Sequence, residues 1–288
     1  MHTITTPSSM REWANAQRQQ GHTIGLVPTM GALHAGHLAL ISAAKAATDI
    51  VVVSIFVNPM QFEGRSDLDN YPRPVEGDIE VCASAGVEVV YAPTAESMYP
   101  PGFQTRVSPG PLAGVLEGAA RAGHFEGVTT VVTKLFNAVL PHRAMFGEKD
   151  YQQLAIIRQM TSDLDLGIEI VGHPTVREPD GLALSSRNVR LSSRQRKAAI
   201  CLPQALAAAT ALAEQQLSSV PDMIDAANSI IKAEREARLD YISIFDAVTL
   251  QPVVDLASDQ RQTGRVRIGA AVLFGDIRLI DNRDLFAK

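Results

Sequence analysis

Short apolar runs alternate with amphipathic stretches along the first 176 residues, and this alternation constrains the fold more than any other feature of the sequence. The run from Ile50 to Val57 is rich in β-branched residues and nearly unbroken, which is typical of a strand buried on both faces. The other predicted elements follow in turn: strands at 24–28, 87–92, 144–147 and 168–176, and helices at 38–47, 128–140 and 151–164. This order predicts an α/β fold, a doubly wound parallel sheet (Rossmann-like) whose ligands gather beyond the carboxyl ends of its strands.

The pattern changes after Arg177, where alanine-rich helical patterns are followed by alternating strands. We expect a long helix at 192–216, a second at 222–238, and a small antiparallel sheet from strands at 241–248, 266–273 and 277–280. Pro174 and Pro179 flank a charged turn suited to a domain boundary. The 288 residues therefore predict a catalytic domain at 1–176 and a smaller α+β domain at 177–288 that closes over the site.

Composition narrows the classes to which the chain can belong. Hydrophobic residues make up 46% and charged residues 20%, values that favour a full core and exclude a disordered chain. The net charge of −5, with acidic and basic residues interleaved, disfavours a nucleic-acid partner. No window reaches about eighteen consecutive apolar residues, and Cys82 and Cys201 lack the spacing of a metal or redox motif. We therefore expect a cytoplasmic protein with reduced thiols and no membrane partner.

The strongest local motif is His-x-Gly-His at 34–37, between a predicted strand and a predicted helix. Two histidines three residues apart share one face of a helix, and the free N–H groups of its first turn favour an anion beside them. Gly36 lacks a Cβ and lets a nucleotide approach the backbone, while Gly31 can adopt a positive φ. We interpret the motif as a polyphosphate site in which the histidines donate to phosphate oxygens. The alternatives are a helix-capping His34 with a packed core His37, or a metal site without an evident third ligand.

A second polar cluster, Phe146 to Gln153, follows the predicted strand at 144–147. Lys149 offers a mobile positive charge for phosphate, and the Gln153 amide, one helical turn later, suits a carboxylate or hydroxyl of a small substrate. The alternative is an ordinary helix start with Asp150 as the N-cap and a solvated Lys149.

A third cluster, Asp180 to Asn188, follows the last predicted strand of the first domain. Its Ser185, Ser186 and Arg187 suit a mobile loop over a triphosphate. Taken alone, the cluster equally fits an ordinary serine-rich interdomain loop.

Two further pairs of polar residues are candidates for the same site. Asn58 and Gln61 follow the strand at 50–57, so Gln61 is expected in the same crevice, unless the segment is a strand-capping turn. Arg121 and His124, taken alone, indicate surface residues ahead of a helix.

Five motifs stand in register along the chain: Pro28–His37, Phe56–Phe62, Tyr71–Arg73, Gly147–Gln153 and Leu184–Asn188. His-x-Gly-His followed far downstream by Ser-Ser-Arg resembles the nucleotidylyltransferase superfamily. All five motifs together resemble the pantoate–β-alanine ligase family, in order and length across both predicted domains.

The resemblance implies a homodimeric ligase that uses ATP with Mg²⁺ to condense pantoate with β-alanine through pantoyl adenylate, releasing pyrophosphate and AMP. It assigns catalysis to His37, His34 and Lys149, with His37 as the proton donor. The residues it assigns to ATP are Met30, Gly31, Ala32, Leu33, His34, Ala35, Gly36, His37, Gly147, Glu148, Lys149, Asp150, Val176, Leu184, Ser185, Ser186 and Arg187. Those it assigns to pantoate and β-alanine are Gln61, Gln153, Asn58, Tyr71, Arg121 and His124. The metal would be held mainly by ATP, with Asp78 as a candidate neighbour.

Four positions depart from the family pattern: Ala35, Ala122, His142 and Leu184. The proposed chemistry uses none of these side chains directly, so the departures concern loop geometry.

Three other functions stay open at this point. An adenylyltransferase that forms a dinucleotide needs basic residues for a second phosphate, whereas Gln61 and Gln153 suit a hydroxyl and a single carboxylate. A synthetase that charges tRNA is disfavoured by the acidic chain. A non-catalytic ATP-binding module would lack at least one key group, and here all the predicted catalytic groups are present.

Overall fold

The computed structural model describes residues 1–62, 65–215, 218–256 and 264–286. The chain divides into two compact units. Unit 1 comprises Met1–Glu148 and Gln153–Pro174, and unit 2 comprises Lys149–Gln152 and Thr175–Lys288. The units differ from the predicted domains at two places: unit 2 resumes at Thr175 rather than Arg177, and it includes the short segment 149–152.

Unit 1 is built on a parallel sheet. Its strands are β1 (His2–Ile4), β2 (Ile24–Thr29), β3 (Ile50–Ile55), β4 (Val89–Tyr91), β5 (Arg143–Gly147) and β6 (Glu169–His173). The helices along this part of the chain are α1 (Pro7–Gln19), α2 (Ala35–Ala47), α3 (Arg65–Asp69), α4 (Val75–Ser84), α5 (Ala95–Met98), α6 (Leu116–Ala120), α7 (His124–Val139) and α8 (Tyr151–Asp163). The strand order is β1-β4-β3-β2-β5-β6, so the winding reverses between β2 and β5. This order confirms the predicted doubly wound sheet.

Burial on both faces explains why β3 carries a nearly unbroken apolar run. All its residues are buried, and alternate side chains enter two separate cores. Val52 packs with Leu26 and helices α1 and α7, whereas Val51 and Val53 pack with Val27 and helix α2. Neighbouring side chains of a strand point to opposite faces, so both faces of β3 need apolar residues, and Ser54 is the one polar residue of the strand.

The structure adds an edge strand, β1, and a helix, α1, that the polar N-terminal sequence does not predict. The local signals of α1 are Thr6, which caps the helix by accepting a backbone N–H, and Pro7 in the first turn. The buried residues of α1 are Met10 and Ala14. Two apolar contacts on an otherwise polar helix leave too weak a stripe for prediction from periodicity.

Unit 2 combines helices with an antiparallel sheet. Its helices include α9 (Ser193–Ala198), α10 (Cys201–Glu214) and α11 (Val220–Ala233), and its strands, paired in chain order, are β7 (Ala237–Asp246), β8 (Val266–Phe274) and β9 (Ile277–Asp284). Leu202, Met223 and Ile268 belong to its core. This arrangement confirms the predicted α+β character.

Two predicted boundaries in unit 2 are wrong. The helix predicted at 192–216 is two helices, because Pro203 has no N–H to donate to the Ala199 carbonyl and is tolerated only in the first turn of a new helix. The helix predicted to reach Arg238 ends at Ala233. Strand β7 begins at Ala237 because β8 is long enough to pair with it there.

The described helices are short. The longest is α7, with 16 residues. Among the residues that the structure describes, no helix has the length and apolar character needed to cross a bilayer.

Candidate active site

The loop between β2 and α2 begins at the carboxyl end of β2. The Thr29 hydroxyl donates to the Ser54 carbonyl (2.7 Å) and accepts the Gly31 N–H (3.1 Å). Gly31 (φ 83°) and Ala32 (φ 51°) both adopt left-handed backbone. This conformation is easy for glycine but strained for alanine, so Ala32 needs support from its surroundings.

The central strands diverge beside this loop. β2 pairs with β3 over six residues, from Ile24 to Thr29. Its described pairing with β5 covers Gly25 and Leu26. The carboxyl ends of β2 and β5 therefore separate at the point where the winding reverses, which is where an open α/β sheet binds its ligands.

Asp78, in the first turn of α4, anchors the β2–α2 loop. Its Oδ2 accepts the Ala32 N–H and its Oδ1 accepts the Leu33 N–H, each at 2.8 Å. The side chain is buried, with 3% of the residue exposed, and a Cβ on Gly31 would lie 2.9 Å from Oδ2. Among the described residues, no three His, Cys, Asp or Glu side chains are grouped to hold a metal ion. Asp78 is thus an anchor of the loop, and its place beside the metal stays a prediction.

His34 and His37 cap the start of α2 with their Nδ1 atoms. His34 Nδ1 accepts the Gly36 N–H (3.1 Å), and His37 Nδ1 accepts the His34 N–H (3.2 Å). A backbone N–H can only donate, so each ring carries its proton on Nε2. The rings are 4.1 Å apart, centre to centre, and both residues are half-buried. The capping role therefore uses Nδ1 of each ring and leaves the ring proton on Nε2.

Asn58 and Gln61 belong to one hydrogen-bonded turn after β3. The buried Asn58 donates Nδ2–H to Gln61 Oε1 and to the Gly127 carbonyl, both at 3.0 Å. Its Oδ1 accepts the Tyr99 hydroxyl (2.8 Å). Burial raises the pKa of Tyr99 well above its ordinary value near 10, so the hydroxyl remains a donor. With Oε1 engaged, the Gln61 amide directs its Nε2 towards Met30 Sδ, at 3.3 Å.

Arg121 and His124 both contact the Gln61 main-chain carbonyl. Arg121 Nη2 donates to it at 3.2 Å, and His124 Nδ1 lies 2.8 Å from it. Arg121 Nη1 is also 3.2 Å from His124 Nε2. The prediction of a surface residue ahead of a helix is wrong for His124, which is buried and is the first residue of α7. The helix begins there because Gly123 adopts the left-handed conformation (φ 77°) that ends the preceding loop.

The remaining predicted residues of unit 1 are Tyr71, Gly147, Glu148 and Gln153. Tyr71 is buried and packs edge-on against Phe62, with ring centres 5.7 Å apart. Gly147 ends β5, Glu148 follows it, and Gln153 lies half-buried in the first turn of α8. Within the part of the chain that the structure describes, no hydrogen bond joins Gln153 to Gln61.

The lysine segment, residues 149–152 of unit 2, is attached to the antiparallel sheet of that unit. The Tyr151 hydroxyl donates to the Ala247 carbonyl (3.1 Å), and the Arg267 guanidinium lies 4.0 Å from the centre of the Tyr151 ring. The Lys149 side chain is 19% exposed, and its ammonium lies 3.8 Å from the Asp150 carboxylate. A solvated lysine, the alternative drawn from the sequence, does not agree with this burial.

The hairpin segment, residues 176–187 of unit 2, brings Val176 next to Leu184. The Leu184 N–H donates to the Val176 carbonyl (3.0 Å). Ser185 Oγ then accepts the Arg187 N–H (3.2 Å), which turns the chain after the hairpin. Ser186 is buried and Arg187 is half-buried. The segment is thus a defined hairpin followed by a hydroxyl-stabilised turn.

Sequence reasoning missed two residues that shape the turn around Gln61. Tyr99 donates to Asn58, and nothing in its Tyr-Pro-Pro-Gly surroundings signals that contact. A Cβ on Gly127 would overlap the Met60 carbonyl and approach the Gln61 nitrogen to 2.8 Å. A glycine lowers the stability of a helix by up to about 1 kcal/mol relative to alanine. A glycine inside the predicted helix, Gly127, is therefore a sequence signal of close packing.

Comparison with known proteins gives one family over the whole chain. The Pantoate-beta-alanine ligase family model matches residues 2–284. Pantothenate synthetase from Trichlorobacter lovleyi is 49% identical over 282 residues, which cover 98% of each chain.

Solved structures agree with the sequence comparison. The crystal structure of pantothenate synthetase from Thermus thermophilus has a TM-score of 0.92 and 45% identity over 100% of both chains. The crystal structure of pantoate-beta-alanine ligase from Francisella tularensis, complexed with Beta-gamma ATP and Beta-alanine, has a TM-score of 0.80 and 36% identity over 99% of this chain and 98% of that chain. On its motifs, its sheet order and its full-length similarity to these proteins, the chain belongs to the pantoate–β-alanine ligase family.

Proposed function

We propose that this ligase condenses (R)-pantoate with β-alanine in two steps, through a pantoyl-adenylate intermediate. The observation that carries the proposal is the pair of histidines, His34 and His37, each with its proton on Nε2 at the start of α2. A helix N-terminus that follows a strand at the switch point of an α/β sheet favours a phosphate group.

In the first step, a carboxylate oxygen of pantoate attacks the α-phosphorus of MgATP. The new P–O bond forms as the bond to the bridging oxygen breaks, and pyrophosphate leaves with the electron pair. Negative charge grows on the phosphate oxygens during this step. His34 and His37 donate Nε2–H to those oxygens, and Lys149 contributes a positive charge, so the transition state is stabilised more than the bound substrate.

In the second step, the amine of β-alanine attacks the carbonyl carbon of pantoyl adenylate. The C–N bond forms, the bond from carbon to the phosphate oxygen breaks with its electron pair leaving on AMP, and the nitrogen passes a proton to the departing AMP phosphate. Adenylation is needed because a free carboxylate has no good leaving group. A pocket lined by amides rather than by a general base also protects the adenylate from water.

The pantoate site is assigned to the turn around Gln61, together with Gln153. The Gln61 amide is oriented by Asn58, so its Nε2–H is committed to one direction. Arg121 and His124 act on the Gln61 main chain, and Tyr71 forms a packed wall. Amide groups suit the hydroxyl and the single carboxylate of pantoate.

The remaining ATP contacts are assigned to the lysine segment and the hairpin segment. Lys149 and Arg187 supply charge, Ser185 and Ser186 supply hydroxyl groups, and Val176 with Leu184 supplies main-chain groups. Mg²⁺ enters as part of MgATP and neutralises phosphate charge. Because Mg²⁺ keeps several waters when it is bound through phosphates, it does not require a protein cage.

The test is ATP–pyrophosphate exchange with Mg²⁺ and pantoate, with β-alanine withheld. We expect exchange that depends on pantoate, since the first step is reversible and complete without the amine. A folded enzyme that binds ATP but shows no exchange would refute the adenylate route and favour a non-catalytic nucleotide-binding role.

His37 offers a matched pair of variants for this assay. His37→Ala removes both the cap and the Nε2–H donor, whereas His37→Asn keeps an acceptor for the His34 N–H and loses the donor. Both variants should lower exchange by roughly two to four orders of magnitude, while His37→Asn should retain the stability of the parent. As a control, Leu38→Ala alters an exposed neighbour in the same turn and should leave exchange unchanged.

We also propose a homodimer in the cytoplasm. The dimer follows from the family resemblance, and the location follows from MgATP use and from two free, buried thiols, Cys82 and Cys201. Light scattering after gel filtration should give twice the mass of one chain. A single-chain mass at micromolar concentration would overturn the dimer.

A further inference from the structure

Two adjacent residues of β9, Asp281 and Asn282, connect the antiparallel sheet of unit 2 to both the hairpin segment and the lysine segment. Both residues are buried, at 3% and 6% exposed. They lie 104 and 133 residues from the partners they contact in those segments. They belong to none of the sequence motifs, and the two chemical steps do not use them. Asp281 nevertheless contacts the Arg177 side chain of the hairpin segment, and Asn282 contacts the Lys149 carbonyl of the lysine segment.

Asp281 fixes the hairpin segment through Arg177. Arg177 Nη1 donates to Asp281 Oδ2 at 2.7 Å and Nη2 donates to Oδ1 at 3.0 Å, a bidentate pair that sets orientation as well as distance. Nη1 also donates to the Gly181 carbonyl (3.0 Å), at the turn of the hairpin. Arg177 itself pairs with Ala183, the neighbour of Leu184. One carboxylate therefore locates both arms of the hairpin against the sheet.

Asn282 fixes the lysine segment. Its Nδ2 donates to the Lys149 main-chain carbonyl (2.8 Å), and its Oδ1 accepts from Arg267 Nε (3.1 Å). The Arg267 guanidinium stacks on Tyr151, two residues beyond Lys149. A lysine side chain is a flexible four-carbon stem, so the position of its ammonium depends on how firmly its main chain is held.

We propose that Asp281 and Asn282 are positioning residues that preset both ATP-binding segments of unit 2 from one point on β9. The proposal rests on the proposed function, in which Lys149 and Ser185 to Arg187 bind ATP phosphates. Neighbouring side chains of a strand point to opposite faces, which lets two consecutive residues reach two different segments. The pair acts through Arg177 and Lys149, and it lowers the cost of ordering these segments when ATP binds.

The test is the dissociation constant of α,β-methylene ATP with Mg²⁺, measured by calorimetry on the full chain. Asn282→Asp places an acceptor against the Lys149 carbonyl, and Asn282→Ser removes the amide without adding charge. Each should weaken binding about tenfold, the loss expected for one buried hydrogen bond. In a Lys149→Ala background, which keeps the carbonyl but lacks the ammonium, Asn282→Asp should change the dissociation constant less than twofold.

Two further variants test the other arm. Asp281→Asn and Arg177→Lys both break the bidentate pair and should each weaken binding about tenfold. The matched control is Asp240→Asn, which removes an ion pair with Arg278 (2.7 Å) on the same sheet and should leave ATP binding unchanged.

Each outcome bears on the inference. Folded Asn282 variants that bind ATP with the parent dissociation constant would overturn it. The inference would also fail if Asn282→Asp weakened binding equally with and without the Lys149 side chain, because Asn282 would then not act through Lys149. Failure of both Asn282 variants to fold would assign the residue to stability instead. The proposed function fails separately, when the parent enzyme shows no pantoate-dependent pyrophosphate exchange, and the inference then falls with it.

Discussion

Replacing Asp78 tests whether the β2–α2 loop depends on a carboxylate 45 residues away in sequence. Asp78→Asn keeps the size of the side chain but replaces one acceptor oxygen with an NH₂ group. One of the two loop amides, Ala32 or Leu33, then faces a donor instead of an acceptor. Ala32 is held at a positive φ, so the loop has a lower-energy backbone conformation to which it can relax once that contact is lost.

The size of the effect follows from the two hydrogen bonds. A hydrogen bond to a charged group contributes about 1.5–3 kcal/mol, and a buried donor left unsatisfied costs about 1–3 kcal/mol. We therefore expect Asp78→Asn to destabilise the loop conformation by about 2–4 kcal/mol. If ATP binds only the parent conformation of the loop, this free energy is subtracted from the free energy of binding. The ATP dissociation constant should then rise by at most roughly 30- to 700-fold.

Calorimetry with MgATP at several Mg²⁺ concentrations is the assay. If Asp78 is a loop anchor, ATP binding weakens in Asp78→Asn and the Mg²⁺ dependence stays that of the parent. If Asp78 is instead a metal ligand, excess Mg²⁺ restores binding, and that result would refute the anchor role. Glu76→Gln is the matched control, because it makes the same charge change at an exposed position in the same helical turn.

Three further predictions concern other parts of the molecule. Tyr99→Phe removes the donor to Asn58 and should raise the KM for pantoate about five- to tenfold, with the KM for ATP within twofold; an equal rise in both would contradict this. Burial, followed by the Arg18 charge, lowers the His142 pKa below its ordinary 6.5, so stability should fall as pH drops from 6.5 towards the folded-state pKa. His142 Nδ1 accepts the Ile24 N–H (2.9 Å), so His142→Asn, which keeps an acceptor, should reduce the drop in urea midpoint between pH 7.5 and 5.5. Burial raises the pKa of Cys82 to about 11 and that of Cys201 to about 12. Both thiols should therefore resist a disulfide reagent near pH 8 until denaturant is added, and rapid labelling of the folded enzyme would argue against that burial.

The features that the sequence predicts well are those with local causes. β3 is apolar at every position but Ser54 because both of its faces are buried, and this pattern is visible without any knowledge of its neighbours. The position of His34 and His37 is predictable for the same reason, because a strand followed by a helix leaves free N–H groups at one known place. The sequence also indicates which residue types gather there.

The features that the sequence does not predict depend on contacts between distant segments. In the sequence, Asp78 is an ordinary acidic residue in the first turn of a helix. Its hydrogen bonds to the β2–α2 loop form only because α4 packs beside that loop. Tyr99 lies 41 residues from Asn58 and carries no motif of its own. Pro203 is different, since its missing N–H was a local signal for the break between α9 and α10.

The divergence of β2 and β5 has a consequence for inhibition of the enzyme. Where two parallel strands part, main-chain groups that would have bonded across the sheet are available to a ligand instead. On the β2 side the Thr29 carbonyl already accepts the Phe56 N–H (3.1 Å) and Pro28 has no N–H, so the groups concerned are the peptide groups of residues 145–147 that face away from β6, and no side-chain substitution removes them. A compound that bonds to these peptide groups would leave few routes to resistance by point mutation, whereas one that relies on the Gln61 amide could be defeated by a single codon change.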